Sequence, residues 1–186
     1  MKLFEDYPVL YDGHITIKQM TIDDAADLSE MTRKKNVYRY LPEFLYELKY
    51  DDIYTVLDRM HEECFLTKQN LLLGIYPDSA GGRFAGIAEV YNYQEDLGKV
   101  SIGSRLKEKY WGQGIASRTV SLLKKYLADA GIKIITAHAM QENKTSEAVL
   151  KKNGFLLEEK GLAEDWGPGK QVVADKYVFK FNEQSF

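Results

Sequence analysis

Residues 110–117, with the sequence YWGQGIAS, contain two glycines directly before a stretch of helical periodicity. Glycine has no Cβ atom, so an anion can approach the backbone closely at these positions. The first turn of a helix also has N–H groups without intrahelical acceptors, and the helix dipole adds partial positive charge there. The segment therefore predicts a cradle for a phosphate or pyrophosphate, with a plain tight turn as the alternative.

Two other nucleotide-binding loops fit this segment less well. A Walker A loop needs a lysine after its second glycine, but Ile115 follows Gly114. A Rossmann loop needs a third glycine or an alanine three positions beyond the second, where Ser117 stands. It also needs a parallel sheet, whereas the strands predicted before this loop form antiparallel hairpins.

Two further motifs follow downstream, namely residues 143–146 (NKTS) and residues 151–155 (KKNGF). Together with the loop they resemble the Gcn5-related N-acetyltransferase (GNAT) family, whose acyl-CoA loop reads Gln/Arg-x-x-Gly-x-Gly/Ala and is matched by residues 111–116. The Tyr-Trp-Gly sequence is similar to that of the ribosomal-protein alanine N-acetyltransferases. The likeness runs from about His14 to Phe181, with the specific motifs in 99–155.

The resemblance implies an N-acetyltransferase that moves the acetyl group of acetyl-CoA to a primary amine by direct attack on the thioester. Acetyl-CoA is then the cosubstrate, and no metal is implied. The backbone of Arg105 and Leu106 would bind the pantetheine arm, and the loop N–H groups would bind the pyrophosphate. The cofactor-binding residues implied are Arg105, Leu106, Gly112, Gln113, Gly114, Ile115, Ala116, Ser117, Asn143 and Ser146.

The resemblance also implies two catalytic side chains near the cofactor. Asn143 would bond the cofactor arm or orient the acceptor, and Ser146 would place a hydroxyl near the thiol sulfur. Both residues have a helix-capping role as the alternative, and for Asn143 both roles can hold. Many relatives carry a tyrosine general acid where this chain has Leu150, so a non-catalytic acyl-CoA-binding or sensing module is the alternative function.

The general base is less well defined by the sequence. Glu89, in the middle of a predicted strand, is the candidate, with an ordinary outward-facing residue as an equal alternative. Glu164 and Asp165, in a predicted loop before the last strand, are rivals. His138 is interpreted as a core histidine, and Ser101 stands where some relatives carry a glutamate.

Periodicity predicts an α/β (α+β) fold in one domain, residues 1–186. The predicted strands cover residues 14–20, 70–76, 83–93, Lys99–Leu106 and 132–140, with one starting at Phe155 and a last one reaching Phe181. The predicted helices cover residues 22–33, 50–67, a stretch ending at Gly131, and 144–153. The result is a mixed, mainly antiparallel sheet of six to seven strands flanked by about four helices, as in acyl-CoA N-acyltransferases.

Composition narrows the class of protein further. Aromatic residues make up 12% of the 186 residues, which excludes disorder for most of the chain. The formal net charge of −3 argues against a nucleic-acid partner. Cys64 is the only cysteine, so neither an intramolecular disulfide nor a cysteine-based metal cluster can form. Without a signal peptide or a long apolar run, the chain is expected to be cytoplasmic, with no membrane partner.

The acceptor site is expected in the first two helices, their link and the last hairpin. Residues 38–47 of the link are rich in aromatic side chains and are followed by further acids, the carboxylates being Glu43, Glu47, Asp51 and Asp52. Aromatic faces and carboxylates together suit a cationic amine, either a protein N-terminus or a small molecule. For any single residue of this link, the favoured interpretation is an aromatic side chain in the core or a carboxylate in solvent, and not a contact with the acceptor. The oligomeric state stays open, with a homodimer among the alternatives.

Overall fold

The computed structural model describes residues 3–181, and within them eight strands form one continuous sheet. The strands are β1 (Leu10–Tyr11), β2 (Ile15–Lys18), β3 (Asn70–Pro77), β4 (Gly86–Gln94), β5 (Lys99–Leu106), β6 (Ile134–Met140), β7 (Leu156–Asp165) and β8 (Gln171–Lys180). Their order in space is β1-β2-β3-β4-β5-β6-β8-β7. Neighbouring strands are antiparallel except β5 and β6, which are parallel.

Helices cover both faces of the sheet. In residues 3–181 they are α1 (Ala25–Thr32), α2 (Lys35–Tyr38), α3 (Ile53–Met60), α4 (Ile115–Asp129) and α5 (Lys144–Lys152). A π-helical turn at His61–Phe65 extends α3. Among these described helices, none is long and apolar enough to cross a membrane.

The two faces of the sheet have separate hydrophobic cores because side chains alternate along each strand. On one face, Val100 and Ile102 of β5 pack with α4 residues such as Leu123 and Leu127. On the other face, Ile87 and Leu72 belong to the core that α1, α2 and α3 cover. Ser101, Gly103 and Arg105, which alternate with the first group, therefore point toward the α1–α3 face.

The central strands separate after a short parallel pairing. In the described chain, β5 and β6 pair at Lys99↔Ile134, Val100↔Ile135 and Ser101↔Thr136. β5 continues to Leu106 against β4, and β6 continues to Met140 against β8. Alternate backbone groups of both strands beyond this point therefore face an opening instead of a neighbouring strand.

The structure corrects the expected count of elements. Residues 3–181 contain eight strands instead of six to seven, because the two-residue β1 joins the edge of the sheet. The same residues contain five α-helices instead of about four, because α2 is a separate four-residue helix in the link. Glu164 and Asp165, expected in a loop, end strand β7. The predicted bounds of β5 agree with the structure.

Candidate active site

The opening between β5 and β6 leads into a cavity of about 1480 Å³. A pocket for one drug-sized ligand is typically about 300–1,000 Å³, so this cavity has room for more than one such molecule. The loop before α4 and the start of α5 line one part of the cavity. The link between α2 and α3, together with Trp166, lines another part.

The glycines of the loop have backbone conformations that other residues rarely adopt. Gly112 has φ +71° and Gly114, the N-cap of α4, has φ +76°. An added Cβ at either glycine would have no heavy atom within 4 Å. Glycine is thus favoured by conformation, and the space beside it is open to a ligand.

The first turn of α4 faces the cavity with N–H groups that a helix cannot satisfy internally. Ile115, Ala116 and Ser117 line the cavity at this helix start. Two hydrogen bonds hold the loop in place: Trp111 Nε1 donates to the Leu106 carbonyl at 2.8 Å, and Gln113 Nε2 donates to the Lys109 carbonyl at 2.8 Å. The loop is therefore rigidly joined to the end of β5 and suits an anionic group.

Asn143 and Ser146 lie at the start of α5 and line the same cavity. The Asn143 Oδ1 atom accepts a hydrogen bond from the Ser146 backbone N–H at 3.1 Å, so Asn143 is the N-cap of the helix. Leu150, in the position of the family tyrosine, is buried. The structure thus brings Asn143 and Ser146 close to the loop and provides no phenol at Leu150.

Arg105 lies at the floor of the cavity and forms a buried ion cluster. Its Nε and Nη2 atoms donate to the two carboxylate oxygens of Glu47, each at 2.5 Å, and its Nη1 donates to Glu89 at 2.6 Å. The side chains of Arg105 and Glu47 are 2% and 0% exposed. The favoured reading of Glu47 as a solvated acid is therefore wrong, and the Arg105 side chain is not a solvated charge either.

The guanidinium of Arg105 stays charged in this cluster. Burial by itself lowers the pKa of Arg105, but the nearby carboxylates of Glu47 and then Glu89 outweigh it and raise the pKa above its ordinary value. Tyr38 also donates to Glu47 at 3.2 Å, and burial followed by the Glu47 charge raises the pKa of this phenol. The cluster joins the link before α3 to strands β4 and β5.

Glu89 lies on the α1–α3 face and lines the cavity, as a candidate base must. Both of its oxygens are engaged, Oε2 by Arg105 and Oε1 by the Asn70 side-chain amide at 2.5 Å. The carboxylate is 7% exposed. Both oxygens of Glu89 are therefore committed to partners inside the protein, a constraint that its position in the sequence does not reveal.

His138 lines the cavity. The interpretation of His138 as a core histidine is therefore wrong. Its side chain is 26% exposed, and its Nδ1 lies 2.5 Å from Glu164 Oε1. The other oxygen of Glu164 accepts a hydrogen bond from Trp166 Nε1 at 2.6 Å. Asp165, the third carboxylate considered as the general base, also lines the cavity. Its Oδ1 accepts a hydrogen bond from the Gly167 backbone N–H.

The link after α2 and the β7–β8 hairpin meet at the cavity, as the acceptor-site expectation required. The Glu43 backbone N–H donates to the Trp166 carbonyl at 2.7 Å, and Lys170 Nζ donates to the Leu41 carbonyl at 2.5 Å. Ser101 lies at the point where β5 and β6 separate, and its hydroxyl is hydrogen-bonded to Thr136 at 2.9 Å. Ser101 is thus occupied within the sheet.

The alternation of β5 was the sequence signal that could have located Arg105. It puts Arg105 on the face of Ser101 and Gly103, opposite the apolar Val100 and Ile102. A charge on the face of a central strand that helices cover needs a buried partner. No local pattern identifies that partner as Glu47, which lies 58 residues away in the chain.

Comparison with known proteins gives one family and several relatives. The sequence profile of the Acetyltransferase (GNAT) domain matches residues 14–156. The "Uncharacterized N-acetyltransferase p20" of Bacillus licheniformis is 22% identical over 180 residues, which are 95% of this chain and 97% of that protein.

Two solved structures share the fold. RimJ of Mycobacterium smegmatis, in complex with CoA-disulfide, has a TM-score of 0.80 and 18% identity over 97% of this chain and 90% of its own. Spermidine N-acetyltransferase of Vibrio cholerae, in complex with CoA and spermine, has a TM-score of 0.74 and 14% identity over 91% of this chain and 96% of its own.

Proposed function

Since the chain belongs to the acetyltransferase (GNAT) family, we propose that it acetylates a cationic primary amine that enters the cavity from the α1–α3 face of the sheet. The protein is an acetyl-CoA-dependent N-acetyltransferase. The observation that carries the proposal is the opening between β5 and β6, which joins the start of α4 to the carboxylates on the α1–α3 face.

The residues at the loop fit an acyl-CoA. The positive φ of Gly112 and Gly114 and the open space beside them leave the N–H groups of Gly112, Gln113, Gly114, Ile115, Ala116 and Ser117 to hold a pyrophosphate. The backbone groups that face the opening beyond Ser101, in the segment that runs to Arg105 and Leu106, would bond the pantetheine amides as a neighbouring strand does. The cosubstrate supplies the acetyl group as a thioester.

The acceptor side of the cavity favours a positive charge. The cluster of Glu47, Arg105 and Glu89 has formal charges of −1, +1 and −1, which leaves −1. Glu164 adds another carboxylate beside His138. Trp166 also lines the cavity with an aromatic ring, the kind of surface to which an ammonium group is attracted. The rings of Tyr40 and Tyr46 line it too, and they already have Arg39 and Lys49 over them.

Asn143 and Ser146 would act on the donor side, where the amide and hydroxyl can orient the acyl group and its leaving sulfur. Glu89 would hold Arg105 in place, and Arg105 in turn joins the link between α2 and α3 to the sheet. Both small amines, such as the polyamine named for the Vibrio relative, and protein N-termini fall within this acceptor class. The sheet that runs through residues 10–180 supports a single domain.

A turnover screen with the purified full chain tests the proposal. Acetyl-CoA is offered with spermidine, with peptides that begin with alanine or serine, and with the N-blocked form of each, while release of CoA thiol is followed. We expect thiol release above the hydrolysis background for at least one free amine, an acetylated product in the mass spectrum, and no turnover of its blocked form.

Calorimetric titration with CoA, ATP and NAD completes the test. CoA binding without turnover of any amine would favour an acyl-CoA-binding module instead, for which the buried Leu150 in place of a phenol is the supporting feature. Binding of ATP or NAD without binding of CoA would contradict the use of the loop as an acyl-CoA site.

A further inference from the structure

We propose that His138 is the catalytic base that takes the proton of the acceptor amine, with Glu164 and Trp166 as its positioning residues. The inference rests on the proposed acceptor class and adds to it the group that handles the proton. It derives from the position of His138 in the sheet, the hydrogen bonds of its ring, and the engagement of the alternative base, Glu89.

The position of His138 follows from the register of the central strands. Pairing of β5 with β6 ends at Ser101↔Thr136. His138 is two residues beyond Thr136 and therefore on the same face, so it is the first β6 side chain on the α1–α3 face after the strands separate. An acceptor approaching a thioester held in the opening from that face meets this residue.

Gly103 leaves space at the same level of the sheet. It lies two residues beyond Ser101 on β5, and on β4 its partner is Glu89. A Cβ built at Gly103 would have only Tyr91 Cε1, at 3.9 Å, within 4 Å among the described residues. Gly103, Glu89 and His138 all line the cavity, so the missing side chain at Gly103 leaves room there for an amine.

The hydrogen bonds of His138 leave one ring nitrogen for the substrate. Glu164 Oε1 lies 2.5 Å from Nδ1, and an ionised carboxylate only accepts hydrogen bonds, so we assign the proton to Nδ1. Nε2 then has the lone pair that a base requires. Within residues 3–181 Nε2 has no hydrogen-bond partner, while the ring lines the cavity.

Trp166 orients the carboxylate of Glu164, which in turn orients the ring of His138. Its indole Nε1 donates to Glu164 Oε2 at 2.6 Å, and the tryptophan is 6% exposed. The backbone carbonyl of Trp166 accepts from Glu43, so the link of the acceptor side is joined to the same residue. A base oriented by a carboxylate, which is itself oriented by a buried donor, is the arrangement expected at a reacting group.

The other charged groups around His138 are each held by partners of their own. Lys176, its cross-strand neighbour on β8, pairs with Glu158 and Glu159 at 2.9 and 2.8 Å. Arg105 on β5 is held by its two carboxylates. Tyr91 on β4 stays a neutral phenol because burial and then the Glu89 charge raise its pKa. Glu164 is the charged group in direct hydrogen-bond contact with the imidazole.

With His138 as the base, every proton in the acetyl transfer is accounted for. A cationic acceptor first releases one proton to solvent as it becomes the free amine. The amine nitrogen then forms a bond to the acetyl carbon, the carbon–sulfur bond breaks, and the nitrogen gives a second proton to His138 Nε2. The imidazolium returns this proton to the departing thiolate, so the products are the amide, CoA thiol and one released proton.

The test compares His138→Gln, Glu164→Gln and Glu89→Gln with the wild type, using one acceptor found in the turnover screen. General-base catalysis contributes about 10²–10⁴-fold, so we expect His138→Gln to lower kcat by about 10²-fold or more, with the KM for acetyl-CoA little changed. The acid limb of the kcat–pH profile should disappear in His138→Gln. Glu164→Gln, which loses the carboxylate that orients the ring, should lower kcat and keep an acid limb, and Glu89→Gln should keep the wild-type limb.

Chemical rescue distinguishes a base from a structural residue. Added imidazole should restore part of the rate of His138→Ala and should leave Glu89→Gln unchanged. A wild-type rate and profile in His138→Gln, or loss of the acid limb in Glu89→Gln instead, would overturn the inference. If the wild type turns over no amine at all, the proposed function fails first, so the two failures are distinguishable. CoA binding and melting curves show that each variant is folded, and Glu164→Gln provides the test if His138 variants do not fold.

Discussion

Arg105 is the cation of a buried ion cluster in the central sheet. It holds two buried carboxylates from distant parts of the chain, Glu47 and Glu89, and its side chain is almost wholly buried. Removal of one member of a buried ion cluster leaves uncompensated charge in the interior, which costs more than the pair itself contributes.

We therefore expect Arg105→Met to lower the free energy of unfolding by about 3–5 kcal/mol, because Glu47 and Glu89 would remain buried without a cation. Urea denaturation measures this change. Arg59→Met is the matched control, since Arg59 pairs with Glu63 at the surface and its loss should change little. Equal stabilities of the two variants would contradict the importance of the buried cluster.

The loop glycine gives a second residue-scale prediction. Gly114→Val forces a β-branched residue into the left-handed region, at a cost of about 1–2 kcal/mol, and turns the first N–H groups of α4 away from the ligand. CoA affinity, measured by calorimetry, should fall by at least about tenfold, equivalent to 1.4 kcal/mol. Gly131→Val, with φ +79° at the other end of α4, should lose stability and keep CoA affinity.

These residues differ in how far the sequence could predict them. The glycines of the loop act through their own backbone and the helix that follows, so a local pattern was sufficient. Arg105 and His138 depend on partners 58 and 26 residues away. Burial and pairing of this kind are properties of the folded sheet, so the sequence did not reveal the ion cluster of Arg105 and suggested the wrong environment for His138.

Helix α5 shows how one element can serve both folding and binding. Asn143 caps its first turn through the Ser146 N–H, and Glu147 pairs with Lys151 on its exposed side. The same cap residue lines the cavity. A loss of activity on substitution of Asn143 could therefore arise from the helix or from the lost amide.

Two substitutions separate these causes. Asn143→Ala should destabilise the protein by about 1 kcal/mol, because the orphan N–H loses its acceptor, whereas Asn143→Ser keeps a capping oxygen and should be nearly neutral. If the amide binds the cofactor arm, CoA affinity measured by titration should fall in both variants. A fall in Asn143→Ala alone would assign the residue to capping only.

The strength of the local pattern determined which elements could be predicted. β5 was predicted with its observed bounds because apolar residues alternate along it between two turns. β1 was missed because two residues contain no period, and it exists through its pairing with β2. The predicted helix 50–67 contains α3 and the π-helical turn that follows it. The sequence pattern did not separate these two elements.

On the scale of the whole molecule, surface carboxylates should set the response to acid. Hydrogen bonds from Lys49 and Tyr50 lower the pKa of Glu63 from 4.5 to about 2, and those from Lys151 and Lys144 do the same for Glu147. Both groups bind protons less readily in the folded chain than in the unfolded chain. Their contribution to stability is present above about pH 4.5 and is lost as the pH falls toward 2.

Urea unfolding between pH 6 and 2 measures this loss. The Glu63→Gln/Glu147→Gln double variant should show a shallower decline than the wild type, and high salt should reduce the difference because both pairs are solvent-exposed. A wild-type decline in the double variant would assign the acid sensitivity to other groups, such as Asp175, whose pKa is lowered by a hydrogen bond from Gln141.

The fold class was predictable at this scale because turns and periodicity record the order of strands and helices. The final sheet order, with β8 between β6 and β7, was not, since it depends on a return of the chain that no local signal encodes. The cavity depends on this order of strands. Since no local signal encodes that order, only the family resemblance led us to expect the cavity.

The three-residue pairing of β5 with β6 also bears on the cooperativity of the protein. Within the described chain it leaves five strands in residues 3–106 and three strands in residues 134–181 as two half-sheets with few hydrogen bonds between them. Such units can open separately, and their amide protons then exchange with solvent at different rates. A ligand seated in the opening would bond to both halves, so hydrogen exchange should become more uniform across the sheet when the acyl donor is bound.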